Sequence, residues 1–433
     1  MGFTLQVDKA ALLAKFDRTL EAVRSEDLRE VPQLSDIAKP QRHVFPILYL
    51  PVEVKAREFQ AKAAIAREAA AQGMTVVLGA KWPMLLSLNA LPHGIFMFKT
   101  LNQTDAAAMM ECVKCGHLTA ALDEEMFGIS ASSSYIGATV HPHAVACADL
   151  ICAQGPSYAE HFPYQADIKV TGSPRTKTYK TPQSDDILVC LQTGNINNNG
   201  RSFEEMLVQT LLLSAYPLGS PQGQVWADIL RTSIAHECDV LPLVSETIAA
   251  LAKAFPDRRI IVRPHPVEDP SNWDFSAPNI IFDEQNDIVD SLARAGAAVF
   301  VSGCTTGLDA FLANVPAVRL GRGGVGISAL MHTEATTPEE AVAAVRRGEA
   351  WKGALDQHLA PLNLTSHLVT LYKANAAEAG TGNFTPFPFE PNEFTRRKFP
   401  DTSVEEVRAL VERPVHQLSW NVFLIQADGA ALA

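Results

Sequence analysis

Short, wholly apolar runs separated by helix-length segments recur along this chain, and after a polar break the pattern starts again. Residues 44–50, 75–79, 94–98, 117–122 and 150–152 each read as a strand with apolar side chains on both faces. Such a strand must be covered on both sides, which is the signature of a parallel sheet between helical layers. Residues 56–72 form a helical segment that ends at Gly73, a residue suited to a left-handed C-cap. The polar run Thr181-Pro182-Gln183-Ser184-Asp185 interrupts the alternation. Strands are then expected at 186–191, 259–263, 279–282, 297–301 and 317–320, with helices at 241–255, 288–295 and 306–314. No repeat of solenoid period is present. The expected architecture is α/β, with two Rossmann-like domains facing each other across a cleft. The first spans residues 1–178 and opens with an amphipathic helical leader over 1–35 (Ala10, Leu13, Phe16 and Leu20 at helical spacing), and the second spans 179–380. Residues 381–433 read as a tail whose helix, 404–411, packs back on the body.

At roughly 100–200 residues per domain, 433 residues suit two or three domains. Hydrophobic residues at 47% and charged residues at 19% allow large packed cores and exclude global disorder. A formal net charge of -12 argues against sequence-independent nucleic-acid binding, which needs a basic face. The first thirty residues show no secretory leader, and no apolar run reaches the ~18 residues of a membrane helix. The 7 cysteines are scattered, as reduced thiols in a cytoplasm would be. Cys112 and Cys115 form a CxxC pair, but Cys147 and Cys152 are spaced CxxxxC, so buried thiols are the better reading than a zinc knuckle. No GxGxxG follows a first strand and no GxxxxGK[ST] is present, so dinucleotide dehydrogenases and P-loop enzymes lose support.

Three motifs lie where open α/β sheets place their ligands, just beyond the C-terminal ends of strands. Arg263-Pro264-His265-Pro266-Val267-Glu268 holds a histidine between two residues of fixed φ, able to donate to a phosphate or to a leaving group. Ser302-Gly303-Cys304-Thr305-Thr306-Gly307-Leu308-Asp309 opens a helix with small hydroxyl residues, a pattern suited to an anion. Thr306 and Asp309 also have capping-box spacing. Leu122-Asp123-Glu124-Glu125-Met126 sets three carboxylates at a strand end, as a solvated run or as a base or nucleophile. Strand alternation would put Asp123 and Glu125 on one side and Glu124 on the other. Glu53, Arg57 and Glu58 follow the first strand and could touch an acceptor or simply open a helix.

The order of these motifs resembles that of bacterial sialyltransferases and Kdo transferases, GT-B enzymes with D/E-D/E-G, HP and serine-containing motifs. More closely, the chain is similar to surface-carbohydrate biosynthesis proteins related to the β-Kdo transferases of capsule and lipopolysaccharide assembly. That group's PxE…RE, DEEG, GxPR and HPxE elements correspond to Pro51-Val52-Glu53 with Arg57-Glu58, Asp123-Glu124-Glu125-Met126, Gly172-Ser173-Pro174-Arg175 and His265-Pro266-Val267-Glu268. Met126 stands where that group has glycine. The resemblance covers about residues 44–325.

The resemblance implies a cytoplasmic GT-B glycosyltransferase, with peripheral association at the inner face of the inner membrane. It would move an ulosonic acid, in first place Kdo, from a CMP-activated donor to a surface polysaccharide or glycolipid. Neither a cofactor nor a metal is implied. Gln192, Thr193, Asn195, Arg263, His265, Pro266, Glu268, Ser302, Thr305, Thr306 and Asp309 would bind the donor. Asp123, Glu124, Glu125 and His265 would carry catalysis, and Glu53, Arg57 and Glu58 would meet the acceptor. The rival readings are a UDP-sugar transferase or UDP-sugar 2-epimerase of the same fold, and a non-catalytic sugar-binding protein of envelope assembly.

Overall fold

The computed structural model describes residues 2–32, 39–126, 133–177, 179, 182–283, 287–301, 304–322, 333–348, 355–377 and 382–427. In chain order the elements begin α1 (Lys9–Glu26), β1 (Ile47–Val52), α2 (Lys55–Ala71), β2 (Thr75–Ala80), α3 (Lys81–Leu86), β3 (Ile95–Phe98), α4 (Gln103–Lys114) and β4 (Leu118–Leu122). There follow α5 (Ser133–Thr139), α6 (Pro142–Cys147), β5 (Leu150–Ala153), α7 (Pro156–Glu160), β6 (Ile168–Val170), β7 (Asp186–Cys190), α8 (Phe203–Leu212), α9 (Pro221–Ala254) and β8 (Ile260–Arg263). The chain continues with β9 (Ile280–Phe282), α10 (Ile288–Leu292), β10 (Ala295–Val301), α11 (Thr306–Leu312), β11 (Ala317–Leu320), β12 (Thr333–Ala335) and α12 (Pro338–Arg347). It closes with α13 (Leu364–Ala374), α14 (Glu393–Lys398), α15 (Val404–Val411), β13 (Val415–Ser419) and β14 (Val422–Ile425).

Two sheets result, each the centre of a Rossmann-like α/β unit. The eight-stranded sheet runs β13-β14-β2-β1-β3-β4-β5-β6, and the six-stranded sheet runs β12-β11-β10-β7-β8-β9. All pairings are parallel except those of β14 with β2 and of β13 with β14. Strands β1, β3, β4, β5 and β7 are buried along their whole length, which is why they read as unbroken apolar runs. In one sheet the order reverses between β1 and β3, in the other between β7 and β10. At such switch points the flanking loops diverge and leave a crevice at the C-terminal rim.

The units are not contiguous in sequence. The six-stranded unit comprises Met1–Val31, Gly128–Thr139 and Tyr179–Ala354, and the eight-stranded unit Pro32–Phe127, Val140–Thr178 and Leu355–Ala433. This departs from the expected division in three places. Helix α1 belongs with the six-stranded unit, because Phe16 and Leu20 enter the same core as Leu207, Leu230 and Ile234. Helix α5 joins that unit too, where Tyr135 meets Trp226 edge-on at 6.2 Å. Residues 355–377 return to the eight-stranded unit, since Leu364 and Leu368 of α13 complete its core.

The C-terminal segment is more than a tail that packs on the body. The hairpin β13–β14 extends the sheet at β2, and Phe423 and Ile425 are fully buried there. Gly79 makes the pairing feasible, because a Cβ there would lie 2.0 Å from the Asn421 carbonyl oxygen. Helix α9 is far longer than expected and runs through Pro242. Pro242 lies on the exposed face, where water can serve the carbonyl that proline leaves without a donor. Among the described residues no helix is long and apolar enough to cross a membrane.

If β14 is an integral strand, Phe423→Ala should lower unfolding free energy by about 3–5 kcal/mol, as for other large-to-small core replacements. Urea denaturation of the purified protein measures this, and a loss under about 1 kcal/mol, the level of ordinary surface changes, would return the segment to a loosely attached tail.

Candidate functional site

The rim of the eight-stranded sheet is built first from α2. Its N-cap residue, Val54, offers no side-chain acceptor to the free N–H groups of the helix start. Glu58 instead reaches back from the first turn to the residues before the helix, accepting from the N–H of Glu53 at 3.1 Å and of Val54 at 3.2 Å. Lys62, one turn further on, donates to Glu58 at 2.9 Å and to the Pro51 carbonyl at 2.5 Å. Glu58 is 3% exposed and its oxygens are occupied, so it shapes the turn and is not placed to meet an acceptor, contrary to the sequence expectation. Burial opposes its charge, but Lys62 and Lys99 outweigh burial and hold its carboxyl below the usual range.

Lys99, just after β3, gathers the remaining charges. Its Nζ lies 3.0 Å from Glu53, 3.2 Å from Glu125 and 3.6 Å from Glu58. Burial alone would drive off the proton, but the three carboxylates raise the Lys99 pKa instead. Glu53 is also bound by Lys398 at 2.6 Å, with Lys81 at 4.0 Å. Burial works against its charge, yet Lys99 and Lys398 hold it well below the ordinary carboxylate range. Arg57, which is exposed, lies 3.3 Å from Glu125.

The three consecutive carboxylates do not continue the strand. Leu122 ends β4, and residues Glu124–Met126 form a single 3-10 turn in which the Met126 N–H donates to the Asp123 carbonyl at 3.2 Å. The turn breaks strand parity, so Asp123 and Glu125 face different partners. Glu125 meets Arg57, Lys99 and solvent. Arg57 first, with Lys99, brings its pKa down to about 2 against the opposing effect of burial. Asp123 is 3% exposed and accepts from the Tyr158 hydroxyl at 3.0 Å. Burial pushes its pKa up to about 7, and the charges of Glu125, Asp105 and Glu124 add to this, while the Tyr158 bond pulls the other way. Glu124 is partly buried, and its Oε1 has no hydrogen-bond partner. Burial raises its pKa, offset by Lys62, Lys99 and Arg175. The motif residues Glu53, Arg57, Glu58, Asp123–Glu125 and Arg175 thus converge on one rim, with Lys62, Lys81, Lys99, Tyr158 and Lys398 added by the fold. Lone lysines and a lone tyrosine carry no motif, so the sequence did not single them out.

In the six-stranded unit the polar loop after β7 is gripped from two sides. Glu268 accepts from the N–H of Thr193, and Glu237 of α9 accepts from the N–H groups of Asn195 at 3.0 Å and Ile196 at 3.3 Å and from the Asn195 side chain. Both carboxylates are buried. Burial first, then the charge of Glu268, raises Glu237 to about 8, against the hydrogen bonds from Asn195 and Ile196. Burial likewise raises Glu268 to about 7 against the Thr193 and His265 backbone bonds. Glu237 was not a sequence candidate, because one acid in a long helix carries no local signal.

The other expected donor-binding residues are placed as follows. Asn195 is committed to Glu237 and Ser233. The Oε1 of Gln192, the Oε2 of Glu268 and the Nη1 of Arg263 are buried without hydrogen-bond partners. The Nδ1 of His265 accepts a long bond, 3.5 Å, from the Val267 N–H, and Pro266 is exposed. Thr305 caps α11 without a side-chain bond. Thr306 accepts from the Cys304 thiol at 3.1 Å, and Asp309 is buried and accepts from the Tyr179 hydroxyl. The Thr306/Asp309 capping box is not formed. Ser302 lies outside the described residues. Cys112, Cys147 and Cys152 are buried free thiols, and Cys115 is partly exposed.

No protein-family model matches this chain, and no curated protein sequence does. Among solved structures it is similar to a Listeria monocytogenes protein provisionally assigned as a UDP-N-acetylglucosamine 2-epimerase, at 13% identity over 69% of this chain and 85% of that one, with a TM-score of 0.42. It is similar to S. aureus MnaA with UDP at 12% identity over 76% and 90% of the chains, TM-score 0.41. It is similar to Anabaena Alr3699/HepE with UDP and glucose at 12% identity over 77% and 98%, TM-score 0.36. None is close enough to transfer a residue's role.

The buried acids of the six-stranded unit have a pH consequence. Glu237 titrates near 8 when folded and in the ordinary carboxylate range when unfolded, so between those values the folded state holds the extra proton. Stability is then fullest below the unfolded pKa and falls as pH rises through neutrality to about 8. Glu237→Gln should flatten the decline in Tm between pH 5 and pH 8 seen by differential scanning fluorimetry, and an unchanged slope would show that Glu237 is ionised when folded.

Proposed function

We propose that the protein is a glycosyltransferase that moves an ulosonic acid, in first place Kdo, from a CMP-activated donor to a surface polysaccharide or glycolipid. The observation that carries the reading is the opposite titration of two carboxylates in one turn, Asp123 near 7 and Glu125 near 2. Where environments push paired carboxyls apart, one serves as a proton carrier at neutral pH and the other stays ionised. The two sit among the motif residues that carry the resemblance to β-Kdo transferases, on the rim where α/β sheets bind ligands.

In this reading Asp123 takes the proton from the acceptor hydroxyl as its oxygen bonds to the anomeric carbon of the sugar. The bond from that carbon to the phosphate oxygen breaks, and CMP leaves with the electron pair. Glu125 remains a fixed negative charge; in a double displacement it is the nucleophile and Asp123 serves the second step. Arg57 and Lys99 keep Glu125 ionised and oriented. In the six-stranded unit, taken by itself, Arg263 and His265 are the groups suited to a nucleotide phosphate, by charge and hydrogen bonding. In the loop fixed by Glu237 and Glu268, the partly buried Gln192 is the residue suited to the nucleotide, whereas Thr193 is fully buried.

The test is release of CMP from CMP-Kdo in the presence of a capsule or lipopolysaccharide acceptor fraction. Asp123→Asn should cut the rate at least 100-fold, within the ~10²–10⁴ range of general-base loss, and Glu125→Gln should also impair it. Wild-type rates in both variants would remove the acidic turn from the chemistry.

A further inference from the structure

We infer that Tyr158 is a positioning residue for Asp123: its hydroxyl occupies Oδ2 and leaves Oδ1 to receive the acceptor's proton. This rests on the role proposed for Asp123. Tyr158 lies on α7 at the C-terminal end of β5, is fully buried, and donates to Asp123 Oδ2 at 3.0 Å. It cannot serve as a proton carrier itself, because burial first, and then the Asp123 charge, pushes its phenol far above the usual range. A donor that keeps its proton fixes which carboxylate oxygen is free.

The phenol is held by the backbone around it. Gly155 has no room for a side chain, since a Cβ there would lie 2.2 Å from the His358 carbonyl carbon. The Ser157 N–H donates to the Gln357 carbonyl at 2.6 Å, and the Ala360 N–H to the Gln154 carbonyl at 2.7 Å. The ring packs against Phe162 with centroids 5.7 Å apart. The carboxylate turn is anchored to the same segment a second time, by the Gln154 Nε2 bond to the Met126 carbonyl at 2.8 Å. Turn and phenol are thus fixed in one frame, as pre-organised catalytic groups require.

The charged groups facing Asp123 are Glu124 and Glu125 of its own turn and Asp105 of α4, all of which disfavour its ionised form. The Tyr158 hydroxyl acts against them. Removing that donor should therefore raise the Asp123 pKa, and a hydrogen bond to a charged group corresponds to about one pH unit or more.

The experiment compares wild type, Tyr158→Phe and Asp123→Asn by the pH dependence of kcat/KM with CMP-Kdo. It adds the midpoint of the Asp123 carboxyl by 13C NMR of aspartate-labelled protein, assigned by its absence in Asp123→Asn and read without any turnover. Tyr158→Phe should move both the acid limb and the midpoint upward by about one pH unit. The rate should fall about fivefold at pH 7 and recover by pH 9, a recovery that a merely structural lesion would not show. Incorporation of 3-fluorotyrosine at position 158, a stronger donor, should move the midpoint downward, which keeps the inference testable should the phenylalanine variant fold poorly. An unmoved limb and midpoint, with Asp123→Asn inactive, overturn the role of Tyr158 and leave that of Asp123 standing. Full activity in Asp123→Asn overturns the functional reading, and the positioning role with it.

Discussion

The ammonium of Lys99, set among Glu53, Glu58 and Glu125, is the interaction on which the rim of the eight-stranded unit depends. A parallel sheet buried on both faces has no place for charge except where its strands end. Charges crowded into that edge lose solvation and persist only if paired. Lys99 provides the common partner, and Lys62, Lys81, Lys398 and Arg57 complete the pairing of particular carboxylates. Asp123 is bonded to a neutral phenol instead, and that difference separates its titration from that of Glu125 two residues away. The chemistry proposed for the turn follows from this asymmetry rather than from the number of acids in it.

The six-stranded unit solves the equivalent problem by another route. Its rim loop is clamped by two buried acids, Glu237 and Glu268, that are met by backbone N–H groups and amides instead of cations. Such donors offset burial only in part, so both pKa values rise. The buried acids of this loop therefore favour the folded state in their protonated form and oppose it as pH rises through their raised pKa values, whereas Lys99 holds Glu53, Glu58 and Glu125 as ion pairs.

Much of the fold was legible because apolar strands announce themselves. The central strands of both sheets fall within a few residues of where the unbroken apolar runs place them. What failed to read did so for particular reasons. Lys169 breaks the apolar run of edge strand β6, and β13, with exposed His416 and Gln417, has too little apolar character to read as a strand. Pro242 hid the first half of α9 because its tolerance depends on facing solvent, a tertiary fact. The assignment of α1 to the distant six-stranded core rests on Phe16 and Leu20, whose spacing predicts a buried face but not its partner. In the site, consecutive or proline-flanked residues were visible as motifs. Lys99, Tyr158 and Glu237 act only through residues distant in sequence, and single polar residues carry no such information. Glu58 stands where position suggests an acceptor contact, but the structure commits both its oxygens to internal hydrogen bonds.

The proposed function requires that this scaffold bind a CMP-activated sugar. Calorimetric titration of the intact protein with CMP and with UDP tests it most directly. Saturable binding of CMP is expected, at least tenfold tighter than UDP (about 1.4 kcal/mol) and weakened by Arg263→Ala. Tighter binding of UDP would contradict it in favour of UDP-sugar chemistry, and binding of neither would contradict nucleotide-sugar transfer altogether.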